Sequence, residues 1–257
     1  MRSKGAGGTR ARQASPRALA IAGGVVLLVV IAIVLGVVLS SRGNTSSSSN
    51  VPALGSHNWI GALDGSPQIY DEFKGIHQSG LLLGNPNAPA TLTEFIDLQC
   101  PVCKDFENTQ FPTIVQKYVR TGKLKVRMEP WSILSAPDSP RGQAATIAAS
   151  LQNKAFQFAA LLYLNQGLED TGWLTEDFVS HDAASIDGMD TRRVQNDQTA
   201  SEVKNTVSDV DSQASAQNFS ATPTLLLNHE GQKAHVVSAG LPDASKLRSQ
   251  IEAAIQG

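Results

Sequence analysis

Apolar and polar residues change rhythm several times along this 257-residue chain, and each rhythm predicts a different kind of element. From Ala18 to Leu39 no charged or polar side chain occurs. About 20 such residues cross a bilayer as a helix. A cleavable signal has a shorter apolar core, about 7–15 residues, and no small-residue cleavage site stands out. Residues 18–39 therefore read as a transmembrane signal-anchor, with a cleaved signal ending near Ser40-Ser41 as the alternative. Ser40 to Asn50 is mostly serine and reads as a flexible tether. Residues 51–80 scatter Trp59, Ile60, Ile69, Tyr70 and Phe73 among several Gly and Pro. They read as an irregular lead-in, so that 40–80 joins the anchor to a domain at 81–257.

Within that domain Leu81-Leu82-Leu83 fits a short strand or the end of the lead-in. Residues 90–97 are rich in β-branched and aromatic side chains, which predicts a strand. Phe106, Phe111, Ile114, Val115, Tyr118 and Val119 recur at steps of three and four, a helical period over 101–120. Pro112 should bend or interrupt that helix, and Thr121-Gly122 should end it. Leu124, Val126 and Met128 alternate with charged residues, which predicts a half-buried strand parallel to the first. Residues 141–218 look helical throughout. One long apolar face runs from Ala144 to Leu162, a second helix is capped by Thr175, a third starts near Thr191, and a fourth holds Val203, Val207, Val210 and Ala214. A proline-led strand at 223–228 and a second strand at 234–239 make a hairpin. Asp243 or Ser245 then caps a last helix with Leu247, Ile251, Ala254 and Ile255 on its apolar face.

Both cysteines of the protein lie at the first strand-to-helix junction, as Cys100-Pro101-Val102-Cys103. Cys100 falls at the helix N-terminus, where free N–H groups and the dipole favour a thiolate. Pro101 suits the first helical position because its missing N–H costs nothing there. Cys103 lies one turn on, within reach for a small disulfide. Such a pair can pass two electrons reversibly, because thiolates attack disulfides and leave from them. A zinc site and a structural disulfide remain as alternatives. Zinc needs about four ligands, and no histidine stands in a recognisable pairing with the cysteines. A loop this short constrains little unfolded entropy.

The block Gly84-Asn85-Pro86-Asn87-Ala88-Pro89, followed by Thr93-Glu94-Phe95, Asp97 and Cys100-Pro101-Val102-Cys103, resembles the DsbA-like thiol:disulfide oxidoreductases of the membrane-anchored bacterial kind. Thr222-Pro223 supplies a second match. The resemblance covers roughly residues 80–256. It implies an α/β, thioredoxin-like fold with an all-helical subdomain inserted at about 141–218, here preceded by the single N-terminal transmembrane helix. It implies that Cys100 is the exposed attacking sulfur and Cys103 the buried resolving one. It also implies that Pro223 is cis beside them, with Thr222 offering its backbone to a bound peptide. Glu94 shares its strand face with Leu92 and Ile96, an unusual place for a solvated acid. The resemblance makes it a buried acid beneath the cysteines. Burial would raise its pKa and suit it to proton transfer.

One position departs from the pattern. The best-known oxidases of this type have His before the second cysteine; here Val102 offers no hydrogen bond or charge. Thiolate stabilisation is then expected from the helix terminus and backbone N–H groups alone, making the disulfide less oxidising than the His-containing type. No metal or organic cofactor is called for.

Charge supplies orientation. Arg2, Lys4, Arg10, Arg12 and Arg17 form a basic tail over 1–17, while the whole chain has a net charge of −2. Basic residues stay on the cytoplasmic side, so the C-terminal domain is expected outside. Nothing in this distribution suggests a nucleic-acid partner. The expected activity is oxidation of cysteine-containing secreted proteins, with a membrane redox partner, implied by the resemblance, that reoxidises the enzyme. A reductase or isomerase, or a binding or chaperone module stapled by its disulfide, are the alternatives.

Overall fold

The computed structural model describes residues 61–257, so the expected anchor at 18–39, the tether at 40–50 and the lead-in up to residue 60 lie outside the described residues. The described chain opens with helix α1, Ser66–Phe73, and a small hairpin of β1, Gln78–Ser79, and β2, Leu82–Leu83. This corrects part of the expected irregular lead-in. Pro67 sits in the first turn of α1, and Ile69 and Phe73, four apart, are both buried. A helix of eight residues gives too short a periodic signal between Gly65 and Gly75 to be read against its glycine-rich surroundings.

Strand β3, Ala90–Ile96, is the centre of a six-stranded sheet with order β1-β2-β4-β3-β5-β6. On one side it pairs in parallel with β4, Leu124–Pro130, from Ala90 opposite Leu124 to Ile96 opposite Pro130. On the other side it pairs antiparallel with β5, Thr224–His229. Antiparallel β6, His235–Ala239, forms the far edge. Because β3 is central, both of its faces are covered. Phe95 joins Trp131, Leu226, Val210 and Ala214 in a small cluster on one face. Leu92 and Ile96 join the main core on the other.

The helix after β3 is broken near Pro112, in line with the sequence. Helix α2, Pro101–Thr109, stops before Gln110, α3 runs Phe111–Ile114, and a single π turn, Val115–Val119, carries the chain to Gly122 with φ +72°. Helices α4, Asp138–Ser150, and α5, Ala155–Leu164, divide the expected continuous apolar face of 144–162. Asn153 turns left-handed at φ +56°, which a helix cannot accommodate. The insert continues with α6, Glu176–Ala184, α7, Thr191–Asp197, and α8, Ser201–Ala216. The Thr175 side chain accepts from Phe178 N, as its position before α6 suggests. The last helix, α9, Ala244–Gln256, is capped by Asp243.

A row of rings ties the lead-in to the redox helix. Phe73 meets Phe156 at 6.5 Å, Phe156 stacks on Phe111 at 6.3 Å, and Phe111 meets Phe106 at 6.1 Å. Aromatic contacts at these centroid distances add about 0.5–1.5 kcal/mol each beyond burial. They join α1, α5, α3 and α2 into one packed layer.

Candidate functional site

Where β3 ends, the chain makes a tight turn through Asp97, Leu98 and Gln99 before Cys100. Cys100 N donates to Asp97 O at 3.0 Å, and the extended backbone of Cys100 then starts α2. Asp97 is buried and shapes this turn. Its carboxylate accepts from Gln99 N at 3.0 Å, Ile133 N at 2.9 Å, Leu134 N at 3.0 Å and the Ser139 hydroxyl. One side chain thus fixes the turn before the cysteines and the loop after β4. Tyr163 donates from its hydroxyl to Asp97 O at 2.9 Å, and Gln166 Nε2 donates to Leu98 O at 3.0 Å and Cys100 O at 3.3 Å.

Both thiols are free. Cys100 is only 6% exposed, so the expected exposed sulfur is recessed, and Cys103 is fully buried. The Thr222–Pro223 bond is cis, and Cys100 Sγ donates to Thr222 O at 3.6 Å. Two segments 122 residues apart in sequence therefore meet at this sulfur.

The two thiols are electrostatically opposite. A hydrogen bond from the Cys103 thiol is the main influence that brings Cys100 down to about 6; burial opposes it, and Thr222 and the backbone N–H groups of Cys103 and Val102 assist. As a thiolate, Cys100 has no proton to give Thr222 O, so the Thr222 hydroxyl is the group that serves it. Burial raises Cys103 well above its ordinary value, and the charge and hydrogen bond of Cys100 add to this. The expectation that helix terminus and backbone alone would hold the thiolate is corrected here. Val102 packs its side chain on the core, and the Cys103 thiol is the leading donor to Cys100.

Glu94 lies on the core face of β3 and is fully buried, and neither of its carboxyl oxygens has a hydrogen-bond partner. Burial raises it to about 8. A second acid, Glu107, was missed in the sequence. It sits one helical turn after Cys103, is buried, and is raised well above the usual range by burial, then by the charges of Glu94 and Glu72. Glu72, on α1, rises to about 7 through burial, opposed by Arg120. Cys103, Glu107 and Phe111 fall four apart on one helical stripe, so an acid inside an apolar face was the available signal. Tyr163 and Gln166 carried no such local signal. Among the described residues no group of three or more His, Cys, Asp or Glu could hold a metal ion.

A strand-to-helix dithiol facing a proline loop, with a helical subdomain inserted in the sheet, is the thioredoxin class of architecture. A family model described as Thioredoxin matches residues 77–252, and the chain belongs to that family. The probable disulfide bond formation protein D of Bacillus cereus is 27% identical over 149 residues, which are 57% of this chain and 68% of the relative. Disulfide bond formation protein D of Bacillus subtilis is 22% identical over 182 residues, 68% of this chain and 77% of the relative. Among solved structures, oxidised BdbD from Bacillus subtilis superposes with a TM-score of 0.61 at 21% identity, over 71% of this chain and 98% of that one. A thioredoxin-like oxidoreductase from Silicibacter pomeroyi gives 0.56 at 23% identity, over 76% and 99%. These structural likenesses establish the fold.

Proposed function

We propose that this thiol:disulfide oxidoreductase is an oxidase of secreted proteins, held at the outer side of the cell membrane by residues 18–39. The observation that carries the direction is the asymmetry of the dithiol, a Cys100 sulfur at about 6 beside a Cys103 sulfur raised well above the ordinary range. The names of the Bacillus relatives, disulfide bond formation proteins, agree with that direction.

In the first step a substrate thiolate attacks Cys100 Sγ of the Cys100–Cys103 disulfide. The S–S bond breaks, Cys103 takes the electron pair, and a mixed disulfide with Cys100 forms. A buried Cys103 thiolate is costly, so it is protonated. Glu94 is the group proposed to hold that proton, being buried, raised to about 8 and free of competing hydrogen bonds. In the second step another substrate thiolate attacks the substrate sulfur, and Cys100 leaves as the stabilised thiolate. The substrate loses two electrons and two protons as it gains its disulfide; the enzyme gains the electrons. Thr222, beside the sulfur, offers its backbone to the bound peptide. A membrane redox partner then takes the electrons and restores the Cys100–Cys103 disulfide.

At pH 7 a sulfur at about 6 rather than the ordinary 9.0 stabilises the reduced enzyme by about 1.4 kcal/mol, or roughly 30 mV. The test is the reduction potential against glutathione. A value near or above about −180 mV supports the oxidase; one near about −270 mV overturns it in favour of a reductase. The topology is tested by adding protease to spheroplasts: digestion of the C-terminal domain is expected, and full protection reverses the orientation.

A further inference from the structure

Asp97 carries a buried carboxylate at the redox turn that neither reaction step uses. Its two oxygens serve different partners. Oδ1 accepts from Gln99 N at 3.0 Å, within the turn that leads into Cys100. Oδ2 accepts from Ile133 N at 2.9 Å, from Leu134 N at 3.0 Å and from the Ser139 hydroxyl, all between β4 and the first turn of α4. Gln99 grips the same stretch a second time, donating from Nε2 to Ser135 O at 2.8 Å. It also pairs with the loop after α5: Asp170 N donates to Gln99 Oε1 at 3.1 Å, and Gln99 Nε2 donates to Asp170 Oδ1 at 3.3 Å.

The main chain of Asp97 is turned toward the sulfurs. Its carbonyl accepts from Cys100 N at 3.0 Å and from the Tyr163 hydroxyl at 2.9 Å. Its N–H bonds the Cys103 sulfur and opposes the rise that burial imposes there. An Asp at the start of a tight turn ordinarily bonds the backbone two residues on, and Oδ1 alone does that. The three donors on Oδ2 exceed what a turn requires, and they tie its angle to the rest of the fold. That angle sets how the chain enters α2. There the extended backbone of Cys100 meets the N–H groups of Val102 and Cys103 and the Cys103 thiol. Hydrogen bonds weaken steeply when misaligned, so donors to a sulfur are effective only if the turn is held.

We infer that Asp97 is a positioning residue for the redox pair: its clamped carboxylate fixes the turn that aims Cys100 at its donors and keeps a main-chain N–H on Cys103. When Cys103 leaves with the electron pair in the first step, that N–H is already in place for it. When Cys100 leaves in the second, its own donors are. The inference rests on the redox reading of Cys100 and Cys103 and holds for either direction of electron flow.

Asp97→Asn separates the two sides of the carboxylate. An amide offers one oxygen acceptor and one NH2 donor. With the oxygen turned to Ile133, Leu134 and Ser139 three bonds survive, and the NH2 faces Gln99 N, donor against donor. The loop stays clamped while the turn is released. Ser139→Ala loosens the clamp from the loop side. Ile251→Val, buried on α9, is the control for lost stability. None of these removes Cys103, Thr222 or Tyr163, which face Cys100 from α2, the proline loop and α5.

The assay is the pH dependence of Cys100 alkylation by iodoacetamide in the reduced full-length chain, with thermal unfolding of the same samples. Wild type is expected to give a midpoint near 6. Asp97→Asn should raise it by about one unit, the weight of roughly one charge-assisted hydrogen bond, leaving roughly tenfold fewer thiolates at pH 5. Ser139→Ala should raise it by less, and Ile251→Val should lower Tm with the midpoint unmoved. Where Asp97→Asn folds, an unchanged midpoint overturns the inference and leaves Asp97 a structural residue; where it does not fold, Ser139→Ala decides in the same way. An equal rise in Ile251→Val also overturns it, because lost stability then explains the shift. A wild-type midpoint in the ordinary thiol range overturns the redox reading itself.

Discussion

The Cys103 thiol is the largest influence holding Cys100 down at about 6, and this can be tested by removing the donor. Cys103→Ala deletes it; Cys103→Ser leaves a hydroxyl able to donate. Thr222 and two backbone N–H groups remain in both, so Cys103→Ala should return Cys100 only part of the way to its ordinary value. A rise of two units, to about 8, serves for the arithmetic. At pH 5 the thiolate fraction then falls roughly 100-fold, and at pH 7 from about 90% to about 10%. Nucleophilicity moves the other way. A Brønsted slope of about 0.45 makes each remaining thiolate roughly eightfold more reactive. Against a chromogenic aryl disulfide, Cys103→Ala should therefore react roughly tenfold slower than Cys103→Ser at pH 5, about equally at pH 7, and about eightfold faster at pH 10. The two profiles cross, with midpoints near 8 and near 6. Coincident profiles with both midpoints near 6 would refute the Cys103 donor. Coincident midpoints in the ordinary thiol range would refute thiolate stabilisation altogether.

Burial raises Glu94 to about 8, so the folded protein keeps a proton there that the unfolded chain releases above about 4.5. Stability is therefore lost as pH rises between those values, by at most about 1.4 kcal/mol per pH unit. Glu94→Gln removes this loss: its Tm should match wild type near pH 5 and exceed it increasingly toward pH 8, and parallel curves would sink the assignment. The same variant should slow dithiol oxidation without unfolding the domain, which single-turnover kinetics across pH would check. Gly142 on α4 faces Leu98 so closely that a Cβ would lie 2.5 Å from Leu98 Cβ. Gly142→Ala should cost about 1–3 kcal/mol in urea unfolding and disturb the turn before Cys100; an unchanged midpoint would mean that α4 can shift freely.

Much of the framework is legible in local pattern. The apolar run 90–96, the helical period after Cys100, the alternation over 124–130 and the caps at Thr175 and Asp243 each depend on residues a few positions apart. Local chemistry also marks Cys100 and Cys103, because a strand-to-helix junction is itself a local feature, and the alternation around Glu94 places it with Leu92 and Ile96. The short helix Ser66–Phe73 and the break at Asn153 were not legible. The first has two apolar anchors among glycines, and the second rests on one left-handed residue within an otherwise continuous apolar series.

What the sequence by itself determined is the order of elements from β3 onward and the pair of sulfurs, since both follow from spacing along the chain. Only the tertiary structure decided what surrounds those sulfurs. It made β3 a central strand, and so closed water off from Glu94. It turned Glu107 toward the same interior, brought Thr222 to Cys100 across 122 residues, and bound the loop after α5 to the redox turn through Gln166 and Asp170. Thiol and carboxyl pKa values depend on solvent exclusion and on donors within a few ångströms. Those partners come from four separate stretches of chain, and no local pattern states which of them will meet.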